Sequence, residues 1–513
     1  DNYGKRLSRI TTKGGETLDE YNTYDKFGRL VKTQSNGKTV EYVYNKKNQL
    51  AEQIIDGNSV KFEYTRLGQL AGKTLLDKDG KTLSELKYFY SKSGKLTSRL
   101  ANGKLQEYKY DAKNQLLAVI DMESKSAVEE YVYDASGNIL KKTINGKTTT
   151  YTYDDANQLL SSTNPESDIT SYAYDAAGRL VKEGEKTYEY GWLDKVMRVS
   201  KEGKELVRFE YHNNNQLAKA IRENSVETFE WDGLALIERN GTKYINEPHA
   251  GGGNPILATT PASNANSLTS PSQSQTIFTD MLGTSLGTVK NNAYSEIEKT
   301  AFGNLFSESA QPAKSLSSAN TFFTGKPYIQ ELGYAFLFRN YRPDMGKWQI
   351  QDPINIIYKR HEITLNHLDE HIATIGYPNG WNNLSYCNNY VTVEFDIYGL
   401  ICPICGSNTP TLFNEDSFYA FGREGTIVSP TNPIVQYIED NLPYAHYFAV
   451  VHDSWVGTLT NMGINDWIVN IPTMPIAAIY AVNKVNYNMY LNTIAIITKK
   501  LGSPNPLPCC IKE

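Results

Sequence analysis

The chain has 513 residues, 36 tyrosines, a formal net charge of −5 at pH 7 and a mean hydropathy of −0.49. This composition and net charge do not indicate a protein that binds nucleic acids or membranes in general. The sequence shows no signal-peptide pattern and no apolar run long enough to span a bilayer. The chain is long enough to form a core and more than one domain. Its composition, with abundant tyrosine, fits a large protein rich in β-structure.

One short phrase recurs through the first half of the chain: Tyr, Asp or Asn, two variable residues, Gly or Asn, one more residue, then an aliphatic residue. The copies begin at Tyr24, Tyr44, Tyr64, Tyr90, Tyr110, Tyr133, Tyr153, Tyr174 and Tyr211, and less cleanly at Tyr190 and Trp231. The starts lie mostly about 20 residues apart, which is typical of a repeat architecture. Because one such unit cannot bury its own apolar face, the units must stack into a wall that surrounds or presents something.

Each unit reads as a β-hairpin. The stretch Thr148-Thr-Thr-Tyr-Thr-Tyr153 alternates its side chains as a half-buried strand does. The Asp-x-x-Gly or Asn-x-x-Asn that follows is a turn, since Asp bonds its own backbone and Gly or Asn accepts a positive φ. Asn-Gly pairs such as Asn36-Gly37 close many units. The pattern therefore predicts a continuous ribbon of antiparallel hairpins.

The phrase Tyr24-Asp-Lys-Phe-Gly-Arg-Leu30 resembles the YD repeat of the Rhs family. That family includes bacterial polymorphic toxins, the C component of insecticidal Tc toxins and eukaryotic teneurins. The resemblance covers roughly residues 1–400. It implies a mainly β fold in which the YD-repeat ribbon spirals into a hollow shell, or cocoon. Two later phrases agree: Trp231-Asp-Gly-Leu-Ala-Leu-Ile237 looks like the exit from the repeats, and Phe278-Thr-Asp-Met-Leu-Gly-Thr-Ser285 resembles a family landmark in which Met281 replaces His.

Four regions follow from this resemblance. We expect a YD-repeat shell over 1–258, a flexible Ser/Pro-rich excursion over 259–276, an Rhs-associated core over 277–400, and a small α or α+β effector domain over 401–513. The opening residues Asp1–Leu7 look like a turn phrase cut in mid-unit. We therefore expect the chain to be a fragment that lacks its upstream part, including any delivery domain.

The core phrases carry the candidate chemistry. Residues 323–328, 334–348 and 351–354 resemble the first half of the Rhs-associated core, and residues 383–389 and 395–400 resemble the second half. In relatives, two motif aspartates form an aspartyl-protease pair that cuts the chain after a Leu.

Carried over to this sequence, the pair is Asp352 and Asp396, and the scissile bond is Leu400–Ile401. Two carboxylates held close share a proton, so that one acts as base toward water and the other as acid. No cofactor is expected for this reaction. The alternative is that both aspartates only cap turns in a decayed motif.

Three departures from the family pattern bear on that choice. Asn355 replaces Gly, Ile397 replaces Pro, and the two aspartates stand further apart than in relatives. The extra residues, roughly 355–380, read as an insertion, which is tolerable if its ends stay close. Within it, His367-Leu-Asp-Glu-His371 matches a short zinc-peptidase pattern, but a polar surface helix is the favoured interpretation and no metal site is assigned.

After Leu400 the Tyr-Asp phrases vanish, and residues 401–513 are the candidate payload. Its cysteines, Cys402, Cys405, Cys509 and Cys510, lie at its two ends and are compatible with disulfides, zinc or free thiols. A hydrolytic or nucleolytic centre at His446, His452 and Asp453 is one alternative to ordinary polar residues. Membrane action is another, because two uncharged stretches run over 467–482 and 485–498. A buried helix hairpin explains those stretches equally.

Two functions remain open at this point. The first is an Rhs-type toxin, secreted or injected from a bacterium, whose shell encloses its own C-terminal effector. Autoproteolysis releases this effector, which acts in the target cell. A cognate immunity protein and a secretion or delivery component are its implied partners. The second is a cell-surface YD-repeat binding or adhesion protein without active cargo.

Overall fold

The architecture is mainly β wherever the chain is described in the computed structural model, namely residues 5–13, 16–247, 253–260, 273–306, 320–351, 382, 384–392 and 396. These residues form one antiparallel sheet of 28 strands and a second of five. They include two short 3₁₀ helices, Trp192–Asp194 and Cys387–Asn389. Over the same residues, no helix has the length and hydrophobicity of a membrane span.

The large sheet is a meander, since every strand pairs antiparallel with the strand that follows it in the chain. Its strands are β1 Ser8–Lys13, β2 Glu16–Tyr24, β3 Leu30–Ser35, β4 Lys38–Tyr44, β5 Leu50–Ile55, β6 Asn58–Tyr64, β7 Leu70–Leu76, β8 Thr82–Tyr90, β9 Leu96–Ala101, β10 Lys104–Tyr110, β11 Leu116–Asp121, β12 Ser126–Tyr133, β13 Ile139–Ile144, β14 Lys147–Tyr153, β15 Leu159–Thr163, β16 Ile169–Tyr174, β17 Leu180–Glu183, β18 Lys186–Tyr190, β19 Val196–Lys201, β20 Lys204–Tyr211, β21 Leu217–Arg222, β22 Ser225–Asp232, β23 Ala235–Arg239, β24 Thr242–Asn246, β25 Pro255–Thr260, β26 Gln273–Thr279, β27 Ser285–Lys290 and β28 Ala293–Glu296.

The small sheet repeats this pattern over a shorter span, again with each strand antiparallel to the next. Its strands are β29 Phe322–Phe323, β30 Lys326–Ile329, β31 Gly333–Ala335, β32 Asn340–Arg342 and β33 Lys347–Trp348. The prediction of a mainly β ribbon of consecutive hairpins is confirmed.

The turn of the repeated phrase folds through its Asp. In the first copy, Asp25 Oδ1 accepts the backbone N–H bonds of Phe27 and Arg29 at 2.9 and 3.0 Å. The Asp25 N–H donates in turn to the Arg29 carbonyl at 2.9 Å, and Gly28 takes a φ of +75°. Asn45 makes the same pair of side-chain bonds in the second copy. The predicted Asp or Asn turn is therefore present. Either side chain can form it, because its oxygen accepts hydrogen bonds from two backbone N–H groups of the turn.

In most copies, the Tyr that opens the phrase bonds to the preceding phrase. Tyr44 Oη donates to the carbonyl oxygen of Leu30 at 2.8 Å, and Tyr64 Oη donates to that of Leu50 at 2.8 Å. The register shifts by one residue at this point of each hairpin, and such a bulge disrupts the ladder locally. The hydroxyl therefore supplies a donor at the bulge. Further copies pair Tyr90, Tyr133, Tyr153, Tyr190 and Tyr211 with the carbonyls of Leu70, Leu116, Ile139, Leu180 and Val196.

In several copies, the residue after the turn Gly or Asn links its turn to the next one. Arg29 Nη1 donates to Asn48 Oδ1 at 2.8 Å, nineteen residues further along the chain. The repeats are thus joined by side chains as well as by the strand ladder, which couples each unit to its neighbour. The same link is made by Gln69 to Gly94, Lys95 to Asn114, Asn138 to Asn157 and Gln216 to Gly233.

Side chains alternate between a buried and an exposed face along these strands. In β4, Val40 and Tyr42 are buried while Val43 between the tyrosines is exposed. The buried face carries the core, where Tyr131 lies 4.7 Å from Phe302 between ring centroids and Tyr244 meets Phe322 edge-on at 5.6 Å. Repeat tyrosines therefore pack against aromatic residues of the segment that follows the repeats.

Later strands also bond to much earlier ones. Asn58 Nδ2 donates to Thr276 Oγ1 at 2.9 Å, and Lys73 Nζ donates to Thr279 Oγ1 at 3.2 Å. Contacts of such long sequence separation hold β26 beside β6 and β7. They are tertiary contacts that a repeat pattern does not specify.

The segment expected to be an excursion over 259–276 is shorter in the structure. Thr259 pairs with Ser274 and Thr260 with Gln273, so β25 and β26 are neighbours in the large sheet. Of the expected excursion, only residues 261–272 lie outside the described residues. The large sheet also continues to Glu296, beyond the expected end of the repeats at residue 258, because Gln273–Thr279 forms a ladder with the strands on both sides.

Candidate functional site

Asp396 is one of the two predicted catalytic aspartates, and it is buried at 1% exposure. Its Oδ2 lies 3.5 Å from Nη2 of Arg339, whose side chain is also inaccessible to solvent. This distance exceeds the usual length of a charge-assisted hydrogen bond, so the contact is mainly electrostatic. A buried carboxylate without a cation is very costly, and Arg339 offsets that cost.

Arg339 is held in place by aromatic rings. It lies between β31 and β32, where the backbone N–H of Phe336 donates to its carbonyl at 3.1 Å. Its guanidinium lies 4.1 Å from the ring centroid of Trp348 in a cation–π contact. Trp348 in turn meets Phe336 edge-on at 5.0 Å and lies 5.2 Å from Tyr386. The ion pair is therefore enclosed by a rigid aromatic cluster.

Lys326, at the start of β30, adds a second basic group near Asp396. Burial lowers the pKa of Lys326 to about 7, and the nearby Asp396 carboxylate acts in the opposite direction. The turn before it needs glycine, since Gly325 has a φ of +77° and a Cβ there would lie 1.9 Å from the Gly253 carbonyl oxygen. Lys326 therefore changes charge near neutral pH beside a buried carboxylate.

A cavity of about 20 Å³ lies next to Lys326. It is lined by apolar groups such as Trp231 and Phe336, with Lys195 and Asn340 among its polar groups. Burial lowers the pKa of Lys195 to about 7, and its Nζ donates to the Leu337 carbonyl. A polar cavity of this size holds about one water molecule.

The two segments that lead to the predicted aspartates are hydrogen-bonded to each other. The backbone N–H of Trp348 donates to the Leu384 carbonyl at 2.9 Å, and Lys347 forms a β-bridge with Ser385. The chain between them contains the predicted insertion, and an insertion costs little when the segments on either side of it lie close together.

The remaining predicted residues lie outside the described residues, and the structure tests none of them. They are Asp352, Leu400, Ile401, Cys402, Cys405, His446, His452, Asp453, Cys509 and Cys510, together with the His367–His371 pattern. Within the described part of the chain, no group of three or more His, Cys, Asp or Glu side chains could hold a metal ion.

Sequence reasoning did not assign roles to Arg339 and Lys326. Both stand inside core phrases that are otherwise rich in aromatic and aliphatic residues. A cation in a largely apolar phrase that packs into the core must find a buried partner, and that is the signal that points to them.

Comparison with known proteins gives one family match. The teneurin YD-shell family model matches residues 85–228. A search of curated proteins found no match.

Two solved structures are similar in part. One is the Photorhabdus luminescens Tc holotoxin pore, with 14% identity, a TM-score of 0.43, and coverage of 78% of this chain and 23% of that chain. The other is the TcdB2-TccC3-TEV crystal structure, with 13% identity, a TM-score of 0.42, and coverage of 77% and 25%. The chain thus spans about a quarter of the length of these proteins.

The family match lies within the hairpin ribbon, over strands whose turns, bulges and tyrosine bonds repeat as described above. Residues 85–228, within the hairpin ribbon, therefore form a segment of the teneurin YD-shell type.

Proposed function

We propose that this protein is an Rhs-type toxin whose core cleaves its own chain. Asp396 and Asp352 hydrolyse the Leu400–Ile401 bond, and residues 401–513 are the effector that the spiralling, hollow shell encloses. The protein is secreted or injected from a bacterium. The observation that carries the proposal is the buried Asp396 carboxylate beside Arg339 at 3.5 Å, because buried and charge-paired carboxylates cluster at catalytic sites.

The charges suggest a role for each carboxyl. The cation of Arg339 favours the ionised form of a neighbouring Asp396, and Lys326 adds to this effect when it is protonated. Asp396 is therefore the base and Asp352 the acid. The hydrogen bond between Trp348 and Leu384 supports a pairing of the two carboxyls, because it joins the segments that carry the aspartates.

The reaction is a hydrolysis. Asp396 removes a proton from a water molecule while the water oxygen bonds to the carbonyl carbon of Leu400. The protonated Asp352 gives its proton to the amide nitrogen as the carbon–nitrogen bond breaks. The products are a carboxylate at Leu400 and a free amine at Ile401.

The test is Asp396→Asn in the full chain, read by gel and by mass spectrometry of the new N-terminus. We expect the unmodified chain to yield a fragment beginning at Ile401 and the variant to stay intact, because Asn keeps the shape but cannot accept the proton. Asp280→Asn is the matched control. Asp280 is partly buried and accepts the N–H bonds of Leu282 and Thr284 in a turn of the same form, a role that Asn45 performs in a repeat turn.

Thermal unfolding distinguishes a catalytic role of Asp396 from a purely structural role of its pair with Arg339. A purely structural Arg339–Asp396 pair would make the core unfold at a lower temperature when one charge is removed. Continued cleavage of Asp396→Asn would show that the assignment of the pair is wrong. Harmless expression of residues 401–513 inside bacteria would favour the binding or adhesion alternative over a toxin.

A further inference from the structure

One repeat turn is built differently from the others. Its Asp134 Oδ1 accepts the N–H bonds of Ser136 and Asn138 at 2.9 and 2.8 Å, as in other copies. The residue after its glycine, however, is Asn138, where the other copies have longer side chains such as Arg29 and Gln69. Asn138 still reaches the next turn, since its Nδ2 donates to Asn157 Oδ1 at 2.7 Å.

The shorter side chain leaves room for the core. Asn138 Oδ1 accepts two hydrogen bonds, from Lys347 Nζ at 2.5 Å and from Asn382 Nδ2 at 2.8 Å. Its Nδ2 also donates to Asp134 Oδ2 at 2.7 Å. All the hydrogen-bonding capacity of this buried amide is therefore used, and the bonds fix which end is oxygen and which is nitrogen.

The same turn holds the core through its backbone. Asn382 Nδ2 donates to the Ser136 carbonyl at 3.1 Å, and Asn389 Nδ2 donates to the Gly137 carbonyl at 2.8 Å. Lys347 Nζ reaches the Asn157 carbonyl at 2.8 Å. Three core side chains thus converge on two successive repeat turns.

These three residues belong to the two segments that lead to the predicted aspartates. Lys347 begins β33, which runs toward Asp352, while Asn382 and Asn389 lie on the segment that runs toward Asp396. We propose that Asn138 holds the two core segments in register and is a positioning residue for the self-cleavage. This inference rests on the proposed function, since it names a residue that aligns the reacting groups without touching them.

The first test measures cleavage. Asn138→Ala in the full chain should slow the appearance of the Ile401 N-terminus about tenfold or more, because small misplacements of reacting groups cost large factors in rate. The matched control is Gln69→Ala, which removes the turn-to-turn bond to the Gly94 carbonyl at 3.0 Å but touches no core residue in the contacts above. The pH midpoints of cleavage should stay unchanged, since a positioning residue lowers the rate without titrating.

Asn382→Ala is a second variant that controls for a folding defect of the repeat turn in Asn138→Ala. It removes the same contact from the core side and leaves the bonds of Asn138 to Asp134 and Asn157 in place. The double variant should be slowed by less than the product of the two single effects, because both changes break the shared Asn138–Asn382 bond while each also removes a bond of its own. Cleavage of both single variants at the rate of Gln69→Ala would overturn the inference.

The second test does not depend on cleavage. Hydrogen exchange is compared in the full chain carrying Asp396→Asn, with and without Asn138→Ala. We expect the amides of Trp348 and Ser385 to exchange about tenfold faster when Asn138 is replaced, and Gln69→Ala to leave them unchanged. If the unmodified chain never cleaves, the proposed function fails, and this measurement alone decides whether Asn138 sets the register. Unchanged exchange would refute it.

Discussion

Neutralising Glu183 should weaken the joint between the repeat sheet and the small core sheet. Glu183, at the end of β17, accepts one hydrogen bond on each carboxylate oxygen from the guanidinium of Arg342, both at 2.9 Å. Both side chains are almost fully buried. Burial raises the pKa of Glu183, but the charge and hydrogen bonds of Arg342, together with Lys186 and Tyr188, outweigh burial and lower the pKa to about 2.

The size of the effect follows from that shift. A pKa of about 2 against an ordinary value of 4.5 corresponds to about 3 kcal/mol in the free energy of unfolding. Arg342 also pairs with the half-exposed Asp344 at 2.7 Å, a contact that the substitution of Glu183 leaves in place. Because the folded-state pKa is lowered, this stabilisation is fully present above about pH 4.5 and is lost as the pH falls toward 2.

The assay is chemical denaturation of the full chain, with Asp396→Asn in every sample so that cleavage does not interfere. Glu183→Gln should cost about 3 kcal/mol at pH 7, and its difference from the parent should shrink as the pH falls below 4.5. Glu210→Gln is the control, since its pair with Lys219 at 2.7 Å is largely exposed and contributes little. Equal unfolding of Glu183→Gln and the parent at pH 7 would refute the reasoning.

Two further outcomes test the fold itself. Tyr64→Phe should lower the free energy of unfolding by about 1 kcal/mol in urea, because it removes the donor to the Leu50 carbonyl, and an unchanged value would show that the tyrosine bonds are dispensable. Burial lowers the pKa of Lys299 to about 7, so the folded state binds fewer protons than the unfolded state between about pH 7 and 10.5, and stability should rise over that range. Lys299→Met should flatten this rise in thermal unfolding, and a slope equal to that of the parent would contradict it.

The repeat was readable from sequence because its determinants are local. Asp25 and Gly28 act within one turn, where the chemistry of a side-chain acceptor and a positive φ is fixed by residue type. The period of two along the strands predicts which face is buried, and Val40 and Tyr42 follow it. The hairpin ribbon therefore needed no tertiary information.

The site was readable only in part. The position of Asp396 came from a family phrase, but its partner Arg339 depends on how β31 and β32 meet the segment near Tyr386. The bond from Tyr44 to Leu30 was also missed, because it joins successive copies and not residues of one copy. Contacts between distant segments are set by packing, which periodicity does not encode.

The copies that depart from the repeat pattern are the ones whose turns contact the core segments. At the position after the turn, Gln69 and Lys95 reach the next turn, whereas Lys195 donates to the core carbonyl of Leu337 and Asn138 accepts from core side chains. A ribbon of identical units would offer a non-repeating core no preferred register, since every turn would bind it equally. A different residue after the turn in single copies makes those turns distinct from the others, so the core can bind at one register. The irregular copies therefore specify where the core packs on the ribbon, while the regular copies form the rest of the large sheet.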